Sequence, residues 1–212
     1  MRTFLLGLLS TVPVIVLAFP LDRFHPRFGG PLQLALYEAF ILAAIPEELL
    51  KLLVVRLYSA RRQSFDEPMD GIVYGATAAL GFAALENALY VMDGGWMTAL
   101  VRAVTAVPMH AAAGAILGYG VACGRFSSSG RAAVWTAWGA AALVHGLYDF
   151  GLLGTAKLAE SAGGSAKEGL TILGLLLLAL GVLIGSISWT LRTVRRLRRD
   201  LLATREEEIT KP

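Results

Sequence analysis

Long apolar segments recur along the chain and are separated by short polar stretches. Each holds roughly 20 residues, the length that a helix needs to cross the ~30 Å hydrocarbon core of a bilayer. Because the connections are short, we predict one integral membrane domain over residues 1–212, with an all-α fold that is a polytopic transmembrane helical bundle. The pattern predicts about six spans, at residues 4–19, 31–55, 71–92, 96–123, 132–153 and 169–191.

The first apolar segment has two interpretations. Arg2 followed by an apolar run is also the pattern of a cleaved signal peptide. The run ends in Ala-Phe-Pro at residues 18–20, and no clear small-x-small cleavage site follows it. We therefore predict that residues 4–19 are retained as a span.

Composition and charge agree with a membrane protein and suggest its orientation. Hydrophobic residues make up 56% of the chain, which is above the usual fraction for soluble domains. With six spans, 13 Lys and Arg residues fall on the side of the two termini and four on the other side. Cytoplasmic loops carry the excess of positive charge. We predict that both termini are cytoplasmic and that the membrane is a bacterial cytoplasmic membrane.

The tail of residues 192–212 is basic at first and acidic afterwards. A basic stretch is one signal of nucleic-acid binding, but beside a span it is more typical of a topology signal that contacts anionic lipid. We predict the lipid bilayer as a partner, with anionic lipid at this tail, and no nucleic acid.

Charged residues interrupt the second apolar segment, where Glu47, Glu48 and Lys51 have apolar neighbours on both sides. Ionised groups at membrane depth are costly and usually functional. Glu47 and Lys51 are four residues apart and share a helix face, whereas Glu48 projects about 100° away. Pro46 predicts a kink, because proline removes a backbone hydrogen bond. A charge cluster at the cytoplasmic end of the helix is the alternative interpretation.

Other apolar segments also carry polar groups. The third contains Glu86 and Asn87, with Phe82 one turn earlier, and the fourth contains His110. The fifth pairs His145 with Asp149 at a spacing of four, which places a carboxylate beside the imidazole. A lone histidine in a span is more often a packing residue, but two histidines and carboxylates on three spans favour a common site.

The polar groups lie at similar depths along their helices. The helices are taken to enter the bilayer core near Leu34, Tyr74, Ala99 and Ala133. Counted from there, Glu47, Glu86, His110 and His145 lie eleven to thirteen residues in, or ~17–20 Å at ~1.5 Å per residue. This is near the midplane of the bilayer core, so the four side chains are able to converge. Such a cluster indicates an intramembrane enzyme. The alternatives are a proton-coupled transporter or channel, and a non-catalytic membrane scaffold.

These motifs resemble those of the PrsW family of intramembrane proteases, which is related to the CAAX prenyl proteases. The resemblance extends from Glu47 to Asp149, about half of the chain, and rests on four motifs in the expected order. They are Glu47-Glu48-Leu-Leu-Lys51, Phe82-Ala-Ala-Leu-Glu86-Asn87, His110 and His145-Gly-Leu-Tyr-Asp149. The resemblance implies an intramembrane endopeptidase whose partner is a membrane-anchored protein or peptide substrate.

The implied chemistry has two versions. In the favoured one, Glu47 or Glu48 is the general base on a water, and His110, His145 or Asn87 stabilises the oxyanion. No cofactor is favoured. In the alternative, His110 and His145 bind zinc with a carboxylate and Glu47 is the base, although no His-Glu-x-x-His helix is present. The predicted catalytic residues are Glu47, Glu48, Glu86, His110 and His145, with Lys51, Phe82, Asn87 and Asp149 in support.

Overall fold

The computed structural model describes residues 1–23, 29–128, 130–161, 163 and 165–210, and all regular elements among them are helical. The all-α class is therefore confirmed for these residues. Residues 211–212 of the predicted tail, and Arg27 of the charge count, lie outside them. The α-helices are α1 (Arg2–Leu9), α2 (Thr11–Asp22), α3 (Pro31–Tyr37), α4 (Ile45–Leu57), α5 (Pro68–Val104), α6 (Ala106–Phe126), α7 (Gly130–Ser161) and α8 (Ala166–Thr210).

Four helical stretches in the described part of the chain are long and apolar enough to cross a membrane. They are Arg2–Asp22, Pro68–Met92, Ala106–Phe126 and Ala166–Ala203. The prediction of six spans is not confirmed by this criterion. The predicted span 31–55 is divided into shorter helical elements and carries several charges, and α7 contains Trp, Gly, His145 and Asp149, which lower its hydropathy.

The helices run antiparallel, so that both termini lie at one end of the bundle. Thr3 is hydrogen-bonded to Ser59, and Arg196 donates to the Tyr119 hydroxyl at 2.6 Å. Ser59 lies in the 3-10 turn Ser59–Arg61 after α4, and Tyr119 lies in the second half of α6. We call this the termini end. The opposite end holds the start of α3 and of α6 and the end of α7.

Close contact between α5 and α6 forms the centre of the bundle. Gly71 and Gly75 on α5 face Gly114 and Gly118 on α6, and their backbones touch: a Cβ added at Gly118 would lie 1.9 Å from the Gly71 carbonyl oxygen. Small residues at such spacing let membrane helices approach closely. Around this contact α7 packs on α6, α8 packs on α7, and α1 packs on α5.

Substitution of Gly118 by alanine is expected to destabilise the bundle by about 1–3 kcal/mol, because an extra methyl group in a packed core forces the backbones apart. The measurement is the free energy of unfolding of the purified protein in detergent. Gly181→Ala on α8 is the matched control, since nothing lies within 4 Å of a Cβ there. Equal stability of the two variants would contradict the tight α5–α6 contact.

A π-helical segment, Glu38–Ala44, joins α3 to α4. Pro46 follows it in the first turn of α4. Because proline has no backbone N–H, one hydrogen bond of the helix is absent there. The predicted distortion near Pro46 is therefore a wide turn just before the proline. Wide turns of this kind are rare and concentrate at functional sites.

Two breaks isolate a short piece of helix before α6. Gly95 has φ 71° and ψ −175°, which interrupts α5, and Thr105 leaves the helical region at φ −122°. Residues 96–104 thus lie between two bends. The predicted span 96–123 is divided at Thr105, because Pro108 is accommodated in the first turn of a new helix.

Candidate active site

Four helices bring their polar side chains together inside the bundle. Most of the group is buried: Glu48 and Lys51 have no exposed surface and Glu47 keeps 6%, whereas the side chains of Glu86 and Asp149 keep 17% and 23%. On each helix, the residues that belong to the group have small or apolar neighbours in the sequence. Their polar side chains face one another in the interior. They are Glu47, Glu48 and Lys51 from α4, Glu86 from α5, His110 from α6, and His145 and Asp149 from α7.

The Lys51 ammonium lies between α4 and α6. It donates to Glu48 Oε1 at 2.8 Å, to Glu47 Oε2 at 3.2 Å and to His110 Nδ1 at 3.1 Å. The Phe82 ring covers it, with its centroid 4.2 Å from Nζ. One cation thus holds both glutamates of α4 and orients one histidine.

Glu86 bridges α6 and the bent part of α5. His110 accepts from Lys51 at Nδ1, so its proton is on Nε2, which donates to Glu86 Oε2 at 2.8 Å. The other carboxylate oxygen, Oε1, pairs with Arg102 Nη2 at 3.0 Å. Glu86 therefore fixes both the tautomer and the orientation of His110.

Both ring nitrogens of His145 face carboxylates. Nδ1 lies 2.9 Å from Glu48 Oε1, and Nε2 lies 3.0 Å from Asp149 Oδ2 and 3.9 Å from Glu47 Oε2. The His110 and His145 rings meet edge to face, with centroids 4.8 Å apart. The two histidines thus form one unit enclosed by acidic groups.

A cavity of about 470 Å³ reaches this cluster. Glu47, Glu86, His110 and Asp149 form its polar wall, together with Arg102. Its other walls are mostly apolar and come from the π-helical segment and from the last turns of α7. These lining residues include Leu42, Ala43, Leu152, Leu153 and Ala156.

The cavity opens away from the termini end. Every residue that lines it beyond the cluster, such as Glu38, Tyr90 and Leu152, is displaced along its helix toward the opposite end. On the termini side, an apolar core closes the bundle below Lys51, where Leu52 and Val55 are at most 1% exposed. Water therefore has access to the cluster from one end.

The structure brings the predicted site residues together, but not all of them reach the cavity. Glu47 lines the cavity, whereas Glu48 is sealed behind it and bonds His145. Phe82 contacts Lys51 and His110. Asn87 does not line the cavity, and its Oδ1 accepts from Arg102 Nε at 3.1 Å.

Sequence reasoning assigned no role to Arg102, although the structure places it in the cavity wall. A single arginine inside the apolar run 96–104 was the signal that could have identified it.

The donor set of the cluster fits a metal ion. Glu47, His110 and His145 each offer one ligand atom, and these atoms lie within 4.8 Å of one another. Histidine and carboxylate donors of this kind make zinc sites. Four carboxylates (Glu47, Glu48, Glu86 and Asp149) face the cations Lys51 and Arg102, which leaves an excess of negative charge. The imidazolium of His145 offsets part of this excess, because both of its ring nitrogens face carboxylates, and a divalent cation bound there would displace one of its protons.

Comparisons with known proteins point to one family. A family model described as PrsW family intramembrane metalloprotease matches residues 1–185. The chain is 36% identical over 154 residues to protease PrsW of Geobacillus kaustophilus, covering 72% of this chain and 66% of that protein. It is 35% identical over 152 residues to protease PrsW of Bacillus subtilis, covering 71% and 67%.

A third relative, protease PrsW of Halalkalibacterium halodurans, is 41% identical over 120 residues, covering 56% of this chain and 53% of that protein. The chain thus spans about two thirds or less of the length of these three relatives. No solved structure matches the chain.

Proposed function

The chain belongs to the PrsW family of intramembrane metalloproteases, and from this premise we propose that it cleaves membrane-anchored protein substrates within a bacterial cytoplasmic membrane. The observation that carries the proposal is Glu47, a carboxylate that reaches the cavity beside two histidines inside an apolar bundle. The relatives are named as proteases, which supports peptide-bond hydrolysis as the reaction.

We assign the proton transfers to Glu47. Its carboxylate lines the cavity and takes a proton from the attacking water, then returns it to the leaving amine. Lys51 fixes this carboxylate in place through its 3.2 Å hydrogen bond. His110 also lines the cavity, and we assign to its Nε2 proton, which it shares with Glu86, the stabilisation of the oxyanion that develops on the scissile carbonyl. Both ring nitrogens of His145 already face carboxylates.

A metal ion would be held by Glu47, His110 and His145. It would take the place of Lys51 at His110 Nδ1 and of Asp149 at His145 Nε2. When bound, it supplies a Lewis acid that polarises a carbonyl and lowers the pKa of water. Glu48 holds His145 through Nδ1, and Glu86 holds His110 through Nε2. Carboxylates in these outer positions orient histidine ligands in metal sites. The chain's own residues thus serve both the glutamate version and the metal version of the mechanism.

The apolar core below Lys51 favours a protease over a transporter. A proton-coupled transporter or channel needs a polar path through the membrane, and buried ionisable groups form such relays. Here the cavity ends at the cluster, and Leu52, Val55 and Leu117, which are at most 1% exposed, lie on its termini side. Among the described residues the cavity thus ends at the cluster, which argues against a continuous channel.

The test uses the full chain in liposomes with a panel of tagged single-span membrane proteins, and mass spectrometry to locate any cut. Cleavage within or next to the span, absent in Glu47→Gln, is the expected result. Zinc content measured in parallel separates the two versions: the metal version requires bound zinc and loss of activity with a chelator. Proton flux without cleavage would instead identify a transporter.

We propose that both termini are cytoplasmic, so that the cavity opens toward the outer face. Support comes from the excess of Lys and Arg on the termini side and from the contacts that place Thr3 and Arg196 at one end of the bundle. A reporter that is active only outside the cytoplasm should be inactive when fused to the C-terminus and active when inserted near residue 163. The reverse pattern would overturn this topology.

We further propose that anionic lipid contacts the start of the tail. The apolar part of α8 ends at Leu191, and exposed arginines follow on the next turns beside Trp189: Arg192, Arg195, Arg196, Arg198 and Arg199. Each such residue near a charged surface contributes about 1 kcal/mol. Replacing Arg192 and Arg195 by glutamine should weaken retention of phosphatidylglycerol by the purified protein, measured by native mass spectrometry. Unchanged retention would contradict the proposal.

A further inference from the structure

The short helical piece of residues 96–104, between the bends at Gly95 and Thr105, is apolar and turned outward. Trp96 is 84% exposed and Met97 71%, and Val104 is 67% exposed. Arg102 is the only charged residue in the piece, and its side chain is only 18% exposed. The Arg102 side chain therefore points into the bundle, whereas the side chains of Trp96, Met97 and Val104 point outward.

Three contacts of Arg102 go to the part of α5 before the bend. Nη2 pairs with Glu86 Oε1 at 3.0 Å, Nε donates to Asn87 Oδ1 at 3.1 Å, and the guanidinium lies over the Tyr90 ring at 3.8 Å from its centroid. A planar guanidinium makes such a set of directed contacts, which a lysine ammonium cannot reproduce. Arg102 thus joins the two sides of the bend at Gly95.

The contact with Glu86 leads directly to His110. Oε1 of Glu86 is held by Arg102, and Oε2 accepts the Nε2 proton of His110 at 2.8 Å. Without the arginine, the first oxygen loses its cation, and the carboxylate is free to rotate in a cavity wall that water reaches. Of the two hydrogen bonds that orient His110, only the one from Lys51 would then be unaffected.

We infer that Arg102 is a positioning residue for the proposed protease, which holds Glu86 in the rotamer that fixes His110. The inference rests on the proposed function for its kinetic consequence, but its structural consequence is measurable without any substrate. Loss of a group that orients a histidine through a carboxylate typically costs ~10–100-fold in activity or metal affinity.

The kinetic test compares Arg102→Gln and Arg102→Lys. The glutamine variant should lose ~10–100-fold in kcat with little change in KM, and the lysine variant should recover part of the loss because it restores a cation to Glu86. Lys157→Gln is the matched control: it removes another ion pair at the same end, with Glu38 at 2.9 Å, and should leave kcat within about twofold. A raised KM with unchanged kcat would overturn the inference and make Arg102 a substrate-binding residue.

The second measurement is independent of activity. The chain has three histidines, so ¹⁵N labelling of histidine gives few ring signals, which His110→Gln and His145→Gln assign. Arg102→Gln should shift the His110 ring nitrogens in the same direction as Glu86→Gln, and adding it to Glu86→Gln should change little more. Unchanged His110 signals would refute the positioning role even if cleavage is lost.

A milder variant covers the case in which Arg102→Gln does not fold. Asn87→Ala removes one of the two hydrogen-bond partners of Arg102 and leaves the ion pair with Glu86. It should shift the same His110 signals by a smaller amount, and their constancy would count against the inference. If no substrate is cleaved by the wild-type chain, the proposed function fails while these spectra still test the geometry.

Discussion

Glu47→Gln is expected to reduce cleavage of a membrane-embedded substrate by ~10²–10⁴-fold, the usual contribution of a general base. The substitution keeps the size of the side chain and its hydrogen bond from Lys51, but it removes the proton acceptor that reaches the cavity. Folding should be preserved, because only one charge of the cluster is lost. The rate of cleavage in liposomes and the unfolding transition in detergent are the two measurements.

Glu48→Gln is the informative comparison. Glu48 is adjacent in sequence but fully buried behind the cavity, where it holds His145 at 2.9 Å. Its loss should slow cleavage less than the loss of Glu47. Zinc content then separates two roles of Glu47, since a ligand substitution lowers bound metal and a base substitution leaves it. Full activity of Glu47→Gln would reject the assignment, and full activity of both variants would reject the mechanism.

Lys51→Met is expected to be the most destabilising substitution in the cluster, by about 3–5 kcal/mol, because it leaves buried carboxylates without their cation. Lys51 has no exposed surface and holds both Glu47 and Glu48. Methionine approximates the length of the aliphatic stem, so lost packing contributes little. The free energy of unfolding in mild detergent, with titrated denaturant, measures the effect.

A compensating substitution identifies the cause. If the cost comes from uncompensated charge, the double variant Lys51→Met with Glu48→Gln should recover part of the stability, so the two effects are not additive. A packing defect at Phe82, which covers the ammonium at 4.2 Å, would not be recovered in this way. Stability of Lys51→Met equal to that of the wild type would contradict the central place of Lys51.

The convergence of the polar residues was predictable, because helix periodicity and alternating chain direction place similar depths opposite one another. Glu47, Glu86 and His110 meet as their positions along the apolar segments indicated. The pair of His145 with Asp149 also follows from a spacing of four residues. Their catalytic roles stay predictions that the experiments above will test.

The path of the chain between Gly95 and Pro108 was not predictable to the same degree. An apolar run has no internal signal that separates a continuous span from a bent one, so the pattern predicts one helix over residues 96–123. Pro108 is the one local signal of a helix start, because proline fits the first turn of α6. The bend that brings Arg102 back to Glu86 depends on tertiary contacts.

The wide turn at Glu38–Ala44 has a consequence for how this chain tolerates insertions and deletions. A π-helical turn closes its hydrogen bonds over five residues rather than four, so it accommodates an additional residue without displacing either flanking helix. Deleting one residue there should restore an ordinary helical turn and leave Tyr37 near its present direction relative to Glu47. Within this stretch, the fold therefore absorbs a change in chain length that elsewhere in α4 would turn Glu47 by about 100° away from the cavity.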